Sequence, residues 1–570
     1  MKRWVSFTLC VVLGLLLLLC GWLIPAHLRA VEEPVLSQAG RNSTSLVGRG
    51  VSLAHIGQYG AGEMILRAAQ SERLPDTNDL SSALEAEAKK YPAMKSWGVS
   101  IPLLRAYFPK APRTNDLNVT DFVVREENRK KALNVLSASK NPSVQALLHT
   151  RSLTNTTTFA PSQAPGGEAF DAAVVITGVL VDMERVPAGL SKEVESAATQ
   201  ANQTGNSDAL EQILLDVLSL GQRFDWGQLM TFVDKIDNVG TLHEQADLVR
   251  NSGDQLPALF AVVELSGDPK GVAQYLKTYH ETGAKDLTTA MHYGAGGVRA
   301  LLRSNERIFT SQLRQSAAHT EPMASLVAVA ADYSWRMPAF ALILKWVLYF
   351  AGGFLLALSL HVGRAPASSL EAPLQVRGFH VAREILFALG FLLAVLFLSE
   401  PFLVPEGAAP VKPFHLRIPT AGSVMQSGKA NNKTSFMDDY KSKLIPMSLF
   451  FVLQGLLYIA SIMKLAEIRR QRVGSRMKLR LLENEDHLFD AGLYLGFLGT
   501  IVAFILSSMR QTNFDLMVAY SSTSFGILFV SFFKIFHLRP VRRHLLMEAE
   551  TEPVAVAGTT TAPAPSLASS

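Results

Sequence analysis

Cysteine is nearly absent from this chain. Its 570 residues hold two, Cys10 and Cys20, both inside the first apolar run. No disulfide framework therefore braces an exported domain, and no cysteine-based metal site can be assembled. The 13 histidines show no H-E-x-x-H or similar spacing, which removes the common zinc patterns. Charge is scarce as well: 18% of residues are charged against 48% hydrophobic, and the mean hydropathy is +0.18. A net charge of +5, from 54 basic and 49 acidic residues, does not point to nucleic acid. "HYGAGGVRALL" (His292–Leu302) lacks the G-x-G-x-x-G spacing of a dinucleotide site and reads as a turn between helices. No nucleophile-and-base set emerges from the spacing, so neither an enzyme nor a cofactor is expected.

The apolar excess is concentrated in six stretches of about 20 residues, the length that crosses a bilayer as a helix. They are Trp4–Ile24, Phe340–Val362, Ile385–Leu403, Ile445–Met463, Leu488–Leu506 and Leu516–Phe536. Residues 1–28 form an N-terminal anchor or signal. The long apolar core and the absence of a clean small-x-small site in "PAHLRA" (Pro25–Ala30) favour an anchor. Lys2 and Arg3, the Arg364–Arg383 loop, the Arg469–Arg480 loop and Arg539, Arg542 and Arg543 all fall on one side if every stretch crosses. The positive-inside rule makes that side cytoplasmic. The loop Pro405–Lys443 then lies outside, although Lys429, Lys433, Lys441 and Lys443 make it basic too.

Residues 29–338 become one large extracytoplasmic segment. "ALEQILLDVLSLG" (Ala209–Gly221), "LPALFAVVELSG" (Leu256–Gly267), "GVAQYLKTYHETG" (Gly271–Gly283) and "GVRALLRSNERI" (Gly297–Ile308) carry three-to-four apolar spacing with glycine or proline punctuation. Short helices in close succession suggest stacked, solenoid-like pairs. "NTTTFAPSQAPGG" (Asn155–Gly167) reads as a linker dividing this segment into residues 29–154 and 168–338. "AAVVITGVLV" (Ala172–Val181) fits a strand or a buried helix equally well. The tail from 545, biased after Glu550 towards Ala, Pro, Thr and Ser, is expected to be disordered.

The last two spans hold the most informative residues. Gly492, Gly496 and Thr500 lie four apart and share a helix face; Gly499 and Ala503 form a neighbouring small pair. Small residues at this spacing let helix backbones approach closely in lipid. In "AYSSTSFGILFV" (Ala519–Val530), Ser521 to Ser524 sweep most of the helix circumference. They cannot all face one path, and some must bond back to a carbonyl four residues earlier. No span carries an acid near its middle: Glu384, Glu400, Asp490 and Asp515 stand towards span ends. Lys345, beside Trp346, is expected to snorkel to the interface.

"LGFLGTIVAF", followed by "AYSSTSFGILFVSFFKIFHLRPVRR", resembles the paired signature of the MotA/TolQ/ExbB proton-channel family. That family has an L-G-L-L-G-T-V-like stretch in one span. An A-L-x-x-T-x-x-G-L-like stretch and a basic cytoplasmic end follow in the next. Thr500 and Thr523 match the two family threonines, and Gly526 follows three positions on. The resemblance covers roughly residues 441–544. The loop between the fourth and fifth stretches is shorter than the family's, and Val518 stands where several members carry a glutamate. The resemblance implies that Thr500 and Thr523 line an ion path, while Gly492, Gly496, Gly499 and Gly526 are expected to pack helices. It also implies a homo-oligomer around a single-span partner that supplies an intramembrane aspartate.

These readings together describe an all-α, polytopic protein of the bacterial inner membrane with about six transmembrane helices. Residues 339–404 hold the second and third, 405–443 an outer loop and 444–544 the family-like module. The large helical domain would meet a periplasmic protein ligand, and the whole would couple an ion gradient to envelope work. The alternative is a membrane-anchored helical scaffold without conduction.

Overall fold

The computed structural model describes residues 2–100, 118–318, 323–363, 379–400, 433–510 and 516–551, with 102, 104–108, 110, 112 and 320. The chain divides into two compact units, one of residues 30–338 and one of residues 1–29 with 339–570. Both are helical. Among the described residues the strands are two three-residue pieces, Ala30–Glu32 and Arg307–Phe309, paired in parallel.

In the 30–338 unit, local chemistry sets the helix ends. Asp225 and Gln228 form a reciprocal capping box at the start of Trp226–Val233. Asn118 and Asn238 cap their helices through side-chain oxygens. Pro142 and Pro269 occupy first turns, where a missing N–H costs nothing. The expected Leu256–Gly267 helix runs from Leu256 to Ser266 and is closed by Gly267 at φ +65°, a conformation glycine adopts without strain. Ala209–Gly221 lies in the helix Asp208–Gly221, and Gly271–Gly283 begins as Pro269–Thr278. The fourth expected helix, Gly297–Ile308, stops at Ser304. Asn305 turns left-handed there, and Ile308 joins the strand paired with Val31.

Residues 172–181 settle as helix. Glu168–Asp182 is buried from Phe170 to Val181 on every side, as expected of a helix apolar all round. The expected linker is a correction: 155–167 does not separate two domains. The buried Glu211 carboxylate accepts the N–H groups of Thr157 (2.9 Å), Thr158 and Phe159 (3.2 Å). The Phe159 ring packs on Phe170, centroids 5.7 Å apart, and one apolar core extends from Leu36 to Leu301. The solenoid-like expectation also gives way, since solenoid repeats touch only their neighbours. Here Tyr59–Ser71 packs on Leu256–Ser266 and on Trp226–Val233, while Glu33–Gly40 packs on Gly294–Ser304. His292 and Tyr293 do form a turn between helices.

In the other unit, the six apolar stretches correspond to helices Lys2–Leu23, Pro338–Gly363, Phe379–Ser399, Lys433–Arg470, Ala491–Arg510 and Leu516–Phe533. Four described segments are long and apolar enough to cross a membrane: Trp4–Leu23, Pro338–Leu360, Met447–Arg470 and Tyr520–Thr551. The last of these continues past Phe533 through a π turn, Lys534–Leu538, into Arg539–Thr551. Helix thus covers the first residues assigned to the tail. Residues 405–432 of the expected outer loop, Asp515 and 552–570 of the tail lie outside the described residues.

Candidate functional site

Three helices, Lys433–Arg470, Ala491–Arg510 and Leu516–Phe533, pack on one another. The small residues on the 491–510 helix face the 516–533 helix. A Cβ on Gly496 would stand 2.8 Å from the Ser522 carbonyl oxygen, and one on Gly526 2.6 Å from that of Gly492. A Cβ on Gly499 would reach within 2.7 Å of Ser522 Oγ, and one on Gly492 within 2.9 Å of Gln454 Oε1. No side chain larger than hydrogen fits at these points without moving a neighbour. All four glycines therefore stand in helix contacts, and backbone approach follows from their size.

At this crossing the two threonines meet. Thr500 Oγ1 and Thr523 Oγ1 are 2.6 Å apart, and either can donate. Both also reach the carbonyl oxygen of Gly496, at 3.1 Å each, and Ser522 Oγ reaches the same oxygen at 3.2 Å. A carbonyl oxygen offers two lone pairs, so three hydroxyls cannot all donate to it at full strength. The cluster therefore has more than one arrangement of its hydroxyl protons. Thr500 is buried and Ser522 nearly fully so. Ser524 takes the local solution instead and donates to the Tyr520 carbonyl at 3.0 Å.

Gln454, to which the sequence reading gave no role, approaches the same helix crossing from the Lys433–Arg470 helix, at Gly492 and Gly526. It is 1% exposed, and its Nε2 donates to the Gly492 carbonyl at 3.0 Å. The available signal was a lone amide in the apolar run "SLFFVLQGLLYIASIM".

Lys345 requires a correction. Its ammonium does not snorkel, because the side chain is 1% exposed. It donates to the Ala26 carbonyl (2.6 Å) and to Glu400 Oε1 (3.2 Å), with His27 Nδ1 at 3.4 Å. Glu400 Oε2 accepts the Leu28 N–H at 2.9 Å. The residues just after the first helix, the start of the second and the end of the third are thereby tied through one buried ion pair. Such a pair is tolerated in a low dielectric only when its remaining hydrogen-bonding capacity is met.

The opposite, basic end of the three-helix module has its own packing. Lys534 Nζ lies 2.7 Å from Asp490 Oδ1. Ser475–Asn484 packs on Arg539–Thr551 through Leu482 and Leu545 and a bond from Ser475 Oγ to Glu548 at 3.1 Å. Among the described residues no group of three or more His, Cys, Asp or Glu is arranged to hold a metal. What the geometry offers is oxygen atoms with exchangeable protons inside an apolar helix bundle. Comparison with protein-family models, curated proteins and solved structures finds no match to this chain.

Proposed function

We propose that this protein is a six-span subunit of a bacterial inner membrane that couples an ion gradient to work on an envelope or periplasmic partner. Its last three helices act in the manner of MotA/TolQ/ExbB proteins. The observation that carries this reading is the meeting of Thr500 and Thr523 on the Gly496 carbonyl, at the two positions that match the family threonines. A chain of hydroxyls with alternative proton arrangements can pass a proton without moving a heavy atom far. It cannot hold the ion as a carboxylate does. The protonatable group is assigned to a single-span partner bearing an intramembrane aspartate, around which copies of this chain assemble. The 30–338 unit is the periplasmic, protein-binding part, placed outside by the arginines at 469–480 and 539–543.

A scaffold without conduction is supported by a different feature of the same cluster. Each of these hydroxyls already has an acceptor within the protein, which packing alone accounts for. One measurement tests the orientation and a second separates the readings. In a background lacking Cys10 and Cys20, Arg472→Cys, at an exposed position in the Arg469–Arg480 loop, and Ser427→Cys should label from opposite sides with an impermeant thiol reagent. Vesicles holding the chain and a single-span, aspartate-bearing partner should show gradient-driven proton flux. Equal labelling from outside overturns the orientation, and absent flux leaves the scaffold.

A further inference from the structure

Gln454 stands on the same face of its helix as Tyr458, one turn towards the basic end. Its amide nitrogen is engaged by Gly492, but among the described residues no donor reaches the buried Oε1. The amide is wedged where Gly492 and Gly526 cross: a Cβ on Gly492 would fall 2.9 Å from Oε1, and one on Gly526 3.3 Å from Nε2. An amide oxygen left unmet in an apolar layer is costly, and a mobile donor such as water would satisfy it. The Tyr458 ring packs against His537, centroids 5.7 Å apart. Buried His537 Nδ1 likewise has no hydrogen-bond partner among the described residues. His537 belongs to the π turn Lys534–Leu538, and single π turns within α-helices recur at functional sites.

We propose that the polar path continues inward from the hydroxyl cluster, past Gln454 and on to His537, with water as its mobile ligand. The proposal rests on the ion-path reading of Thr500 and Thr523. It adds two residues to which the resemblance assigns no role: Gln454, outside the quoted stretches, and His537, within the second of them. Gln454 Oε1 accepts a hydrogen bond from water at the middle of the bundle. His537 Nδ1, when its ring proton is on Nε2, accepts one at the basic end. No bond in the protein is made or broken, and a proton moving along the waters leaves both side chains as it found them.

The test is substituted-cysteine accessibility in the full chain, with Cys10 and Cys20 replaced by serine and Ag+ as the probe. Silver is small enough to follow water, and it reacts with the thiolate, which a dry apolar site suppresses. Protection from later alkylation in denaturant reads the modification. Gln454→Cys and Thr523→Cys should be modified at least about tenfold faster than Val452→Cys, an exposed apolar position on the same helix as Gln454. His537→Cys carries the same expectation should Gln454→Cys fail to assemble. Fast modification at Thr523→Cys with Gln454→Cys and His537→Cys as slow as Val452→Cys overturns this proposal and leaves the hydroxyl path standing. Slow modification at all three overturns both.

Discussion

Around Phe224, Phe232 and Phe260 in the 30–338 unit, ring centroids lie 5.2, 5.8 and 6.0 Å apart, and all three rings are buried. At the crossing of the 491–510 and 516–533 helices, the contact is made by Gly492, Gly496, Gly499 and Gly526. Large side chains there, Phe497 and Ile527 among them, point outward. Both units are helical, but these two contacts place bulk oppositely. Where water is the solvent, burying large apolar area drives packing. Where lipid is the solvent, as the proposed membrane placement of this crossing has it, apolar area gains nothing by hiding, and close backbone approach with internal hydrogen bonds takes over. The polar groups follow suit. Glu211 gathers backbone N–H groups and orders a loop, whereas Thr500, Ser522 and Thr523 share one carbonyl.

The sharpest way to break this contrast is at the buried ion pair. Lys345→Met leaves the buried Glu400 without its ammonium partner, with His27 Nδ1 at 3.4 Å beside it, and removing one partner of a buried pair typically costs about 3–5 kcal/mol. Lys345→Met with Glu400→Gln should recover most of that loss in thermal unfolding of the purified protein. A snorkelling lysine would give neither effect. Phe260→Ala should destabilise the 30–338 unit by about 3–5 kcal/mol, read as a lower denaturant midpoint. By contrast Phe497→Ala, at a side chain 62% exposed, should leave unfolding in a detergent micelle nearly unchanged. Equal losses at the two phenylalanines would contradict the division by solvent.

Titration sharpens the comparison within the 30–338 unit. Burial pushes the Asp225 carboxyl up to about 7, against the backbone N–H groups of Gln228 and Gly227 that favour its charged form. A carboxyl whose folded value is raised stabilises the fold below its unfolded value near 4. That contribution is lost as pH rises through the folded value. Burial also acts to raise Glu211, but Ser207 and the N–H groups of Thr157, Thr158 and Phe159 outweigh it and the net shift is downward. Its contribution is present at neutral pH and is lost on acidification. Melting of a soluble 30–338 fragment, should it fold alone, or of the whole chain, should therefore respond differently to two variants. Asp225→Asn flattens the decline between pH 4 and about 7, and Glu211→Gln flattens the acid limb.

The smallest structural effect is expected at the hydroxyls. Contacts of this kind between membrane helices average about 0.6 kcal/mol, so Thr500→Val should barely change assembly.

Much of this was legible in residue spacing. Gly492, Gly496 and Thr500 at four-residue intervals define a face, and that face meets the partner helix. The helix 256–266 and its closing Gly267 follow from local chemistry alone. What was hidden depends on distant partners. Lys345 looks like a snorkelling residue until Glu400 and the Ala26 carbonyl are seen beside it. Residues 155–167 look like a linker until Glu211 closes on them. Gln454 has no motif, and its meaning lies in the gap that Gly492 and Gly526 leave open.

Proton flux in vesicles containing the chain and a single-span, aspartate-bearing partner of the kind proposed tests the central claim most directly, with assembly followed by native mass. The Thr500→Val, Thr523→Val double variant keeps side-chain shape and removes both hydroxyls. The account predicts that assembly persists while flux falls at least about tenfold, a barrier change of about 1.4 kcal/mol. Unchanged flux with unchanged assembly would contradict it, and Thr500 and Thr523 would then do no more than pack.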